Sequence, residues 1–140
     1  MGIQAADHQE TNPTASIPFI SKLSCSLVGE TQKILLAPNT LSSQAYGKDT
    51  IKERFNCHYG LNEAYRDAIE KGGFKIAGVD TTGEVRIVEL SNHRFYMATL
   101  FLPQFSSGPD LPHPLIVLYV KTALFFRKSQ KMNGDRRYPF

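Results

Sequence analysis

The segment ATLFLPQF (residues 98–105), followed shortly by PHPL (residues 112–115), decides the fold prediction. Residues 95–101 are apolar or aromatic with a single threonine, which predicts a strand in the buried middle of a sheet that helices cover on both faces. In open α/β sheets ligands bind at the carboxyl ends of strands. Leu102 and Gln104 therefore occupy positions where functional side chains are expected.

Two helices are predicted from their end signals. Asn62 can cap a helix that runs to about Lys71, and Gly72-Gly73 ends it. Pro114 suits the first turn of a final helix. The buried side of that final helix is expected to carry five residues at helical spacing, namely Leu115, Leu118, Tyr119, Thr122 and Phe126.

The remaining elements are predicted to be strands. Residues 32–38 form a short apolar run closed by a proline, and residues 24–28 are a second candidate before a glycine turn. Residues 74–79 and 84–90 are β-rich and are separated by the turn sequence DTTG, which predicts a hairpin. The pattern as a whole indicates an α/β domain.

Length and charge indicate one globular domain with a basic end. The chain has 140 residues, 41% of them hydrophobic, and a net charge of +3. We predict a folded domain over residues 1–126 and a flexible tail over residues 127–140. The tail contains the basic residues Arg127, Lys128, Lys131, Arg136 and Arg137. With few aromatics in this tail, we predict no nucleic-acid partner.

Several functional classes are not expected from the sequence. No run approaches the roughly 18 apolar residues that a membrane span needs, and the opening residues lack a secretory signal. Cys25 and Cys57 form neither a disulfide framework nor a metal site, so we predict no metal and a reducing cytoplasm. No glycine-rich phosphate loop is present, and no cofactor is predicted.

The two opening segments resemble the end of the glutaminase domain of CTP-synthase-type glutamine amidotransferases. In that family a strand runs into His-Pro-Glu-Phe, and a Pro-His-Pro-Leu segment then opens the last helix. Leu102 and Gln104 stand at the histidine and glutamate positions. A cysteine nucleophile needs an imidazole to accept its proton and a carboxylate to orient that imidazole. The resemblance therefore implies that the catalytic base and its carboxylate are absent.

A second signature extends the resemblance to roughly residues 32–124. Residues 45–54 resemble the segment before the family's Arg-His-Arg-Tyr-Glu-Val-Asn motif, which stands here as FNCHYGLN (residues 55–62). Tyr59 matches the motif, and His58 stands where the family has an arginine associated with the glutamine site. The resemblance makes His58 and Tyr59 candidates for a substrate pocket.

The resemblance implies a class I glutamine-amidotransferase-like α/β fold, with a mixed sheet flanked by helices and the N-terminal part of the fold missing. The family's nucleophile elbow would lie before Met1. Cys25 lies in a predicted strand, and Cys57 adjoins His58 on an extended segment where neighbours point to opposite faces. Neither thiol is predicted to replace the nucleophile.

The sequence thus predicts a glutamine amidotransferase homologue, linked to pyrimidine nucleotide biosynthesis by resemblance, that is catalytically inactive as this chain. Two alternatives stay open: an active amidotransferase or hydrolase completed by an N-terminal half or a partner, and a truncated product without independent function. The partners left open are a homo-oligomer and an amidotransferase or synthetase partner. Nucleotide binding is not carried over, because the family's ATP and UTP sites belong to a separate synthetase domain.

Overall fold

The computed structural model describes residues 6–132. Its strands are β1 (Ile20–Lys22), β2 (Thr31–Leu36), β3 (Thr50–Arg54), β4 (Tyr59–Leu61), β5 (Phe74–Asp80), β6 (Val85–Leu90) and β7 (Met97–Thr99). Its helices are α1 (Leu41–Tyr46), α2 (Arg66–Lys71) and α3 (Pro114–Met132). Short 3₁₀ turns cover Glu63–Tyr65 and Pro103–Ser106. No helix in this part of the chain combines the length and the hydropathy that crossing a bilayer requires.

Five strands form the main sheet in the order β3-β2-β5-β6-β7, and β1 pairs with β4 in a separate two-stranded ribbon. Every strand pair is antiparallel within the described residues. The α/β fold class is confirmed. The prediction of a mixed sheet is wrong for the described residues, because all of their paired strands run antiparallel. Tight connections such as the β5–β6 turn explain this, because two-residue to four-residue turns join only antiparallel neighbours.

The core lies between the sheet and the pair α1 and α3. Ile34, Ile51 and Ile87 point from three strands toward Leu115 of α3, and all four are buried. The opposite face is covered in part by α2, whose buried Ile69 borders the same groove as Val88. Because side chains alternate along a strand, Val88 and Ile87 point to opposite faces of β6.

The local turn and cap predictions are confirmed. The Asp80 carboxylate accepts hydrogen bonds from the backbone N–H groups of Thr82 and Glu84, at 2.8 and 3.0 Å, and this fixes the β5–β6 hairpin. The Asn62 side chain accepts the N–H of Ala64 at 3.0 Å, so that it caps the 3₁₀ turn leading into α2. Gly73 follows α2 with φ +90°, a conformation that glycine adopts readily.

Two strand predictions are wrong. Residues 24–28 form no strand, because their backbone bonds to the neighbouring segment, such as Leu27 N–H to the Cys57 carbonyl, are too irregularly spaced to make a ladder. The predicted central strand over residues 95–101 is the three-residue β7 at the sheet's edge, with Ala98 exposed. An apolar run fixes neither a strand's length nor its place in a sheet.

Helix α3 continues beyond the predicted domain boundary at residue 126. It runs to Met132, so Arg127 and Lys128 are helical, and the flexibility of the chain from residue 127 stays a prediction. The sequence contains neither proline nor glycine between Pro114 and Gly134, and nothing local stops the helix earlier. Residues 133–140 lie outside the described residues, and the prediction of a flexible end there stays a prediction.

Candidate functional site

The carboxyl end of β7 holds the two positions that the sequence marked as degenerate. Leu102 is half-buried and begins the 3₁₀ turn Pro103–Ser106, where its carbonyl accepts the N–H of Phe105 at 3.0 Å. Gln104 lies within this turn and is exposed. Leucine has an aliphatic side chain and glutamine a neutral amide, and neither ionises in water. These two positions therefore hold no group that could act as a base.

The second predicted pair lies on the neighbouring segment. His58 is exposed, and its carbonyl accepts the N–H of Leu23 at 2.9 Å. Tyr59 begins β4, pairs with Lys22, and its ring centroid lies 5.7 Å from that of His8.

Cys57 links this segment to the end of β7. Its thiol, on the residue before His58, donates to the Leu100 carbonyl at 3.3 Å. The four predicted residues therefore lie on adjacent segments. None of them lines the cavity beside α1 or the apolar groove over β6 and β7 that are described below. The Cys57 thiol thus donates to a carbonyl and not to an imidazole that could act as its base.

The most extensive buried polar network lies elsewhere, at the N-terminus of α3. Glu53 of β3 is 5% exposed and His113 is 2% exposed, and His113 Nε2 lies 3.1 Å from Glu53 Oε1. The Tyr46 hydroxyl donates to the same oxygen at 2.5 Å. The Ser106 hydroxyl donates to Glu53 Oε2 at 3.2 Å. One carboxylate thus joins α1, β3, the 3₁₀ turn and α3.

The hydrogen bonds define the state of the His113 ring. Its Nδ1 lies 3.2 Å from the backbone N of Leu115 and accepts that N–H, so Nδ1 carries a lone pair. The proton therefore resides on Nε2, which donates to Glu53 Oε1. Both ring nitrogens are therefore engaged in hydrogen bonds. Because Nδ1 accepts an N–H of the first turn, His113 caps the start of α3.

Electrostatics in this network favour a charged Glu53. Burial alone would raise the pKa of the Glu53 carboxyl, but hydrogen bonds from His113, Tyr46 and Ser106 outweigh burial and lower that pKa below its ordinary value. For Tyr46, burial and then the hydrogen bond to the Glu53 carboxylate raise the pKa of the hydroxyl. The sequence analysis missed this network, since Tyr46, Glu53 and His113 converge only through the sheet pairing.

Two further buried carboxylates serve structure. Glu89 is 4% exposed and accepts the N–H groups of Leu41 at 2.8 Å and Ser42 at 2.7 Å, together with the Ser42 hydroxyl, at the start of α1. Asp80 pairs with the buried Arg86 guanidinium at 2.7 Å. These contacts use the carboxylates fully and leave them no role as free acids or bases.

The surface cavities of residues 6–132 include two of different size. The larger, about 650 Å³, lies beside α1 and is bordered by Thr40, Gln44, Lys75 and His93. The smaller, about 350 Å³, is an apolar groove over β6 and β7 on the α2 side of the sheet, and we call it the β7 groove. Its lining includes Phe19, Leu61, Ile69, Val88, Tyr96 and Ala98. No group of three or more potential metal ligands occurs among residues 6–132.

Comparison with known proteins identifies relatives of this chain among the CTP synthases. It is 37% identical over 129 residues to CTP synthase of Herpetosiphon aurantiacus and 32% identical over 130 residues to CTP synthase of Saccharolobus solfataricus. These matches cover 85% and 86% of this chain but 24% of each relative. The chain thus spans about a quarter of the length of the curated relatives it matches. No family-level sequence model matches it.

Solved structures agree at the level of the fold. The glutaminase domain of Trypanosoma brucei CTPS with bound acivicin superposes with a TM-score of 0.78 at 24% identity, over 87% of this chain and 52% of that one. A Thermoplasma acidophilum protein, described as a putative component of GMP synthase, gives a TM-score of 0.60 at 15% identity, over 80% and 51%. Taken with the sequence matches, this likeness shows that the chain belongs to the CTP-synthase-type glutamine amidotransferase domains.

Proposed function

We propose that this chain is a glutamine-amidotransferase-like binding or regulatory module that does not itself hydrolyse glutamine. One observation supports the proposal: Leu102 and Gln104 lie at the turn after β7. The sequence resemblance assigns these two positions to the histidine and the glutamate of the family motif. An aliphatic group cannot accept a thiol proton, and an amide cannot stabilise an imidazolium by charge. Loss of a triad base typically lowers the rate by several orders of magnitude.

His113 and His58 offer no substitute base. His113 is enclosed in the Glu53 network, and both of its ring nitrogens already make hydrogen bonds. His58 is exposed, and the adjacent thiol of Cys57 donates to a carbonyl instead of to an imidazole. A general base must lie within hydrogen-bond reach of the proton that it removes.

Ammonia release from glutamine tests the proposal directly. We expect the purified chain to release none above the buffer background, and the Cys25→Ser and Cys57→Ser variants to behave identically. Release at enzymatic rates that one of these substitutions abolishes would overturn the proposal. Binding of glutamine or acivicin to the chain, measured by calorimetry, would then separate a ligand-binding module from a truncated product without independent function.

A second candidate is an amidotransferase that a further half of the fold completes. The supporting observation is β7, an edge strand with its outward backbone groups available beside the apolar β7 groove. Edge strands of this kind pair readily with an added strand. The added half would supply the nucleophile and the oxyanion hole, in the pyrimidine nucleotide pathway that the family resemblance implies.

Reconstitution distinguishes the two candidates. The complementary N-terminal half of a CTP synthase glutaminase domain is supplied as a separate chain, with its nucleophile elbow intact. We expect binding without glutaminase activity for the natural sequence, and activity only when Leu102→His and Gln104→Glu are introduced together. Glutaminase activity of the natural sequence with the added half would establish the second candidate instead.

We further propose a reducing cytoplasm as the setting, with a second copy or a synthetase-bearing protein as the partner. Both cysteines are free thiols, and Cys25 is exposed, which suits a reducing compartment. Fractionation of cells that produce the chain, with thiol labelling of Cys25, tests the compartment. Recovery of the chain from an oxidising compartment would contradict it.

A further inference from the structure

The cavity beside α1, which we call the α1 cavity, has the size and the lining of a small-molecule site. Its volume of about 650 Å³ lies within the range of roughly 300–1,000 Å³ that is usual for ligand pockets. Polar residues form most of its border, and four of them are exposed, namely Asn39, Gln44, Ser91 and His93. None of the four positions that the sequence analysis singled out borders this cavity. A ligand in the α1 cavity therefore uses a separate site.

Two opposite charges at the α1 cavity face each other across the sheet without forming an ion pair. Lys75 of β5 is the direct cross-strand partner of Glu89 of β6, and both residues border the cavity. Side chains at directly opposed positions point to the same face of a sheet, and opposite charges there stabilise each other. The ion pairs within residues 6–132 nevertheless include neither Lys75 nor Glu89. Each of the two charges is bound by other groups.

The Glu89 carboxylate is fully used by the start of α1. Its oxygens accept the N–H groups of Leu41 and Ser42 at 2.8 and 2.7 Å, together with the Ser42 hydroxyl. These three donors satisfy a carboxylate whose residue is 4% exposed. The ammonium of Lys75 is therefore left without a counter-ion from the strand beside it.

The Lys75 ammonium is held in place by two main-chain carbonyls. Its Nζ donates to the Pro38 carbonyl at 3.2 Å and to the Asn39 carbonyl at 3.0 Å. An ammonium has three N–H groups, so one of them is left for a further acceptor. Neutral carbonyls fix the position of the charge but do not cancel it. Lys75 thus presents a preorganised positive charge at the border of the cavity.

We propose that the α1 cavity binds a small hydroxylated monocarboxylate, such as a sugar acid, whose carboxylate accepts the remaining N–H of Lys75. A single negative charge suits this site, because the Glu89 carboxylate that also borders it repels the second charge of a phosphate dianion. The proposal does not depend on whether the chain hydrolyses glutamine or on completion of the fold.

The rest of the lining suits hydroxyl groups on the ligand. The amides of Asn39 and Gln44 and the hydroxyl of Ser91 can each donate and accept hydrogen bonds. His93 adds a donor, because its Nδ1 accepts the Phe95 N–H at 3.3 Å and the ring proton then lies on Nε2. The volume of the cavity exceeds what a carboxylate alone requires, so the hydroxylated part of the ligand has room beside these groups.

Titration of the ¹⁵N-labelled full chain with gluconate, followed by NMR, tests the proposal. We expect saturable shifts at the amides of residues 39–44, 75 and 89–93. Three further probes separate the features of the ligand. Sorbitol has the hydroxyl groups without the carboxylate, hexanoate has the carboxylate without the hydroxyl groups, and inorganic phosphate has a different anion. Each of the three is expected to bind more weakly than gluconate, and equal or tighter binding of any of them would overturn the proposed ligand class.

Substitution of Lys75 tests the role of its charge. Lys75→Met removes the ammonium but keeps an unbranched side chain, and it is expected to weaken gluconate binding about tenfold. Lys71→Met is the matched control, because Lys71 is exposed at the end of α2 and does not border the cavity. It is expected to leave the gluconate affinity unchanged.

A second variant is needed because Lys75→Met also removes the hydrogen bonds to the Pro38 and Asn39 carbonyls. Gln44→Ala shortens an exposed side chain of α1 and is expected to weaken gluconate binding about threefold without lowering stability in urea. It decides the question if Lys75→Met does not fold. The absence of saturable shifts with gluconate, or equal gluconate affinity of the natural, Lys75→Met and Gln44→Ala chains, would overturn the proposal.

Discussion

His113 donates its Nε2–H to Glu53 Oε1 at 3.1 Å and thereby joins the N-terminus of α3 to the edge strand β3. These two residues are separated by 60 positions in the chain, and both are at least 95% buried. Their bond holds the turn that contains Leu102 and Gln104 against the sheet, because Ser106 of the same turn donates to the same carboxylate. A buried hydrogen-bond network therefore holds this turn in place.

Stability is expected to fall in acid through Glu53. The folded-state pKa of this carboxyl is lowered from 4.5. The ionised form therefore contributes stability that is present above that value and is lost as the pH falls through the lower folded pKa. Glu53→Gln is expected to cost about 2 kcal/mol of unfolding free energy at neutral pH. Urea titrations at neutral and acidic pH should show the difference between natural and variant chains narrowing in acid.

Glu70→Gln is the control for this measurement, because Glu70 is exposed on α2. A constant difference between the natural and Glu53→Gln chains across the acidic range would contradict the assignment.

Removal of the Tyr46 hydroxyl is expected to disturb the same network. Tyr46→Phe deletes a donor to Glu53 and should lower the unfolding free energy by about 1–2 kcal/mol. Since this hydrogen bond helps to lower the Glu53 pKa, acid unfolding of the variant should begin at a higher pH than that of the natural chain. Tyr119→Phe serves as control, because Tyr119 is 57% exposed. Equal acid unfolding profiles for the two variants would refute a role for the Tyr46 hydroxyl.

The start of α1 is expected to depend on the Glu89 carboxylate. Glu89→Gln replaces one accepting oxygen by an NH₂ group, which would face the N–H of either Leu41 or Ser42, because these two donors bond to different oxygens. Leaving buried donors without an acceptor should destabilise the fold by about 2–3 kcal/mol. Hydrogen exchange at the first amides of α1 should accelerate together with the loss of global stability. Unchanged exchange there, measured beside the Glu70→Gln control, would show that Glu89 does not cap α1.

Local features of the fold were predictable from the sequence because each is decided by adjacent residues. The Asp80 turn and the Asn62 cap use side chains that bond backbone groups two to four residues away. The position of β7 was not predictable, since an apolar run has no information on which strands lie beside it. Its place at the edge follows from pairing with β6 alone.

The candidate site likewise contains residues that could be predicted from the sequence and residues that could not. Leu102 and Gln104 were identified from a contiguous motif, and the structure places both in one turn. The Glu53 network escaped prediction because the Tyr46, Glu53 and His113 side chains come from three separate elements. Only the registers of β2 with β3 and β5 bring those elements together. For α3 the sequence predicted one buried side that included Tyr119, but this residue is 57% exposed in the packed structure.

The packing around the paired strands β5 and β6 is expected to leave no room for a side chain at position 78. A Cβ on Gly78 would lie 2.9 Å from Ile87 Cδ1 and 3.0 Å from Ile34 Cγ2, closer than carbon atoms pack. Both isoleucines are fully buried, so they have no free space into which to move. Gly78→Ala should therefore destabilise the chain by about 1–3 kcal/mol in urea unfolding. Gly108→Ala meets no atom within 4 Å and should leave stability within about 0.5 kcal/mol of the natural chain. Equal stability of the two variants would mean that the sheet relaxes around the added methyl group, and that the core at Ile34 and Ile87 is less tightly packed than its burial indicates.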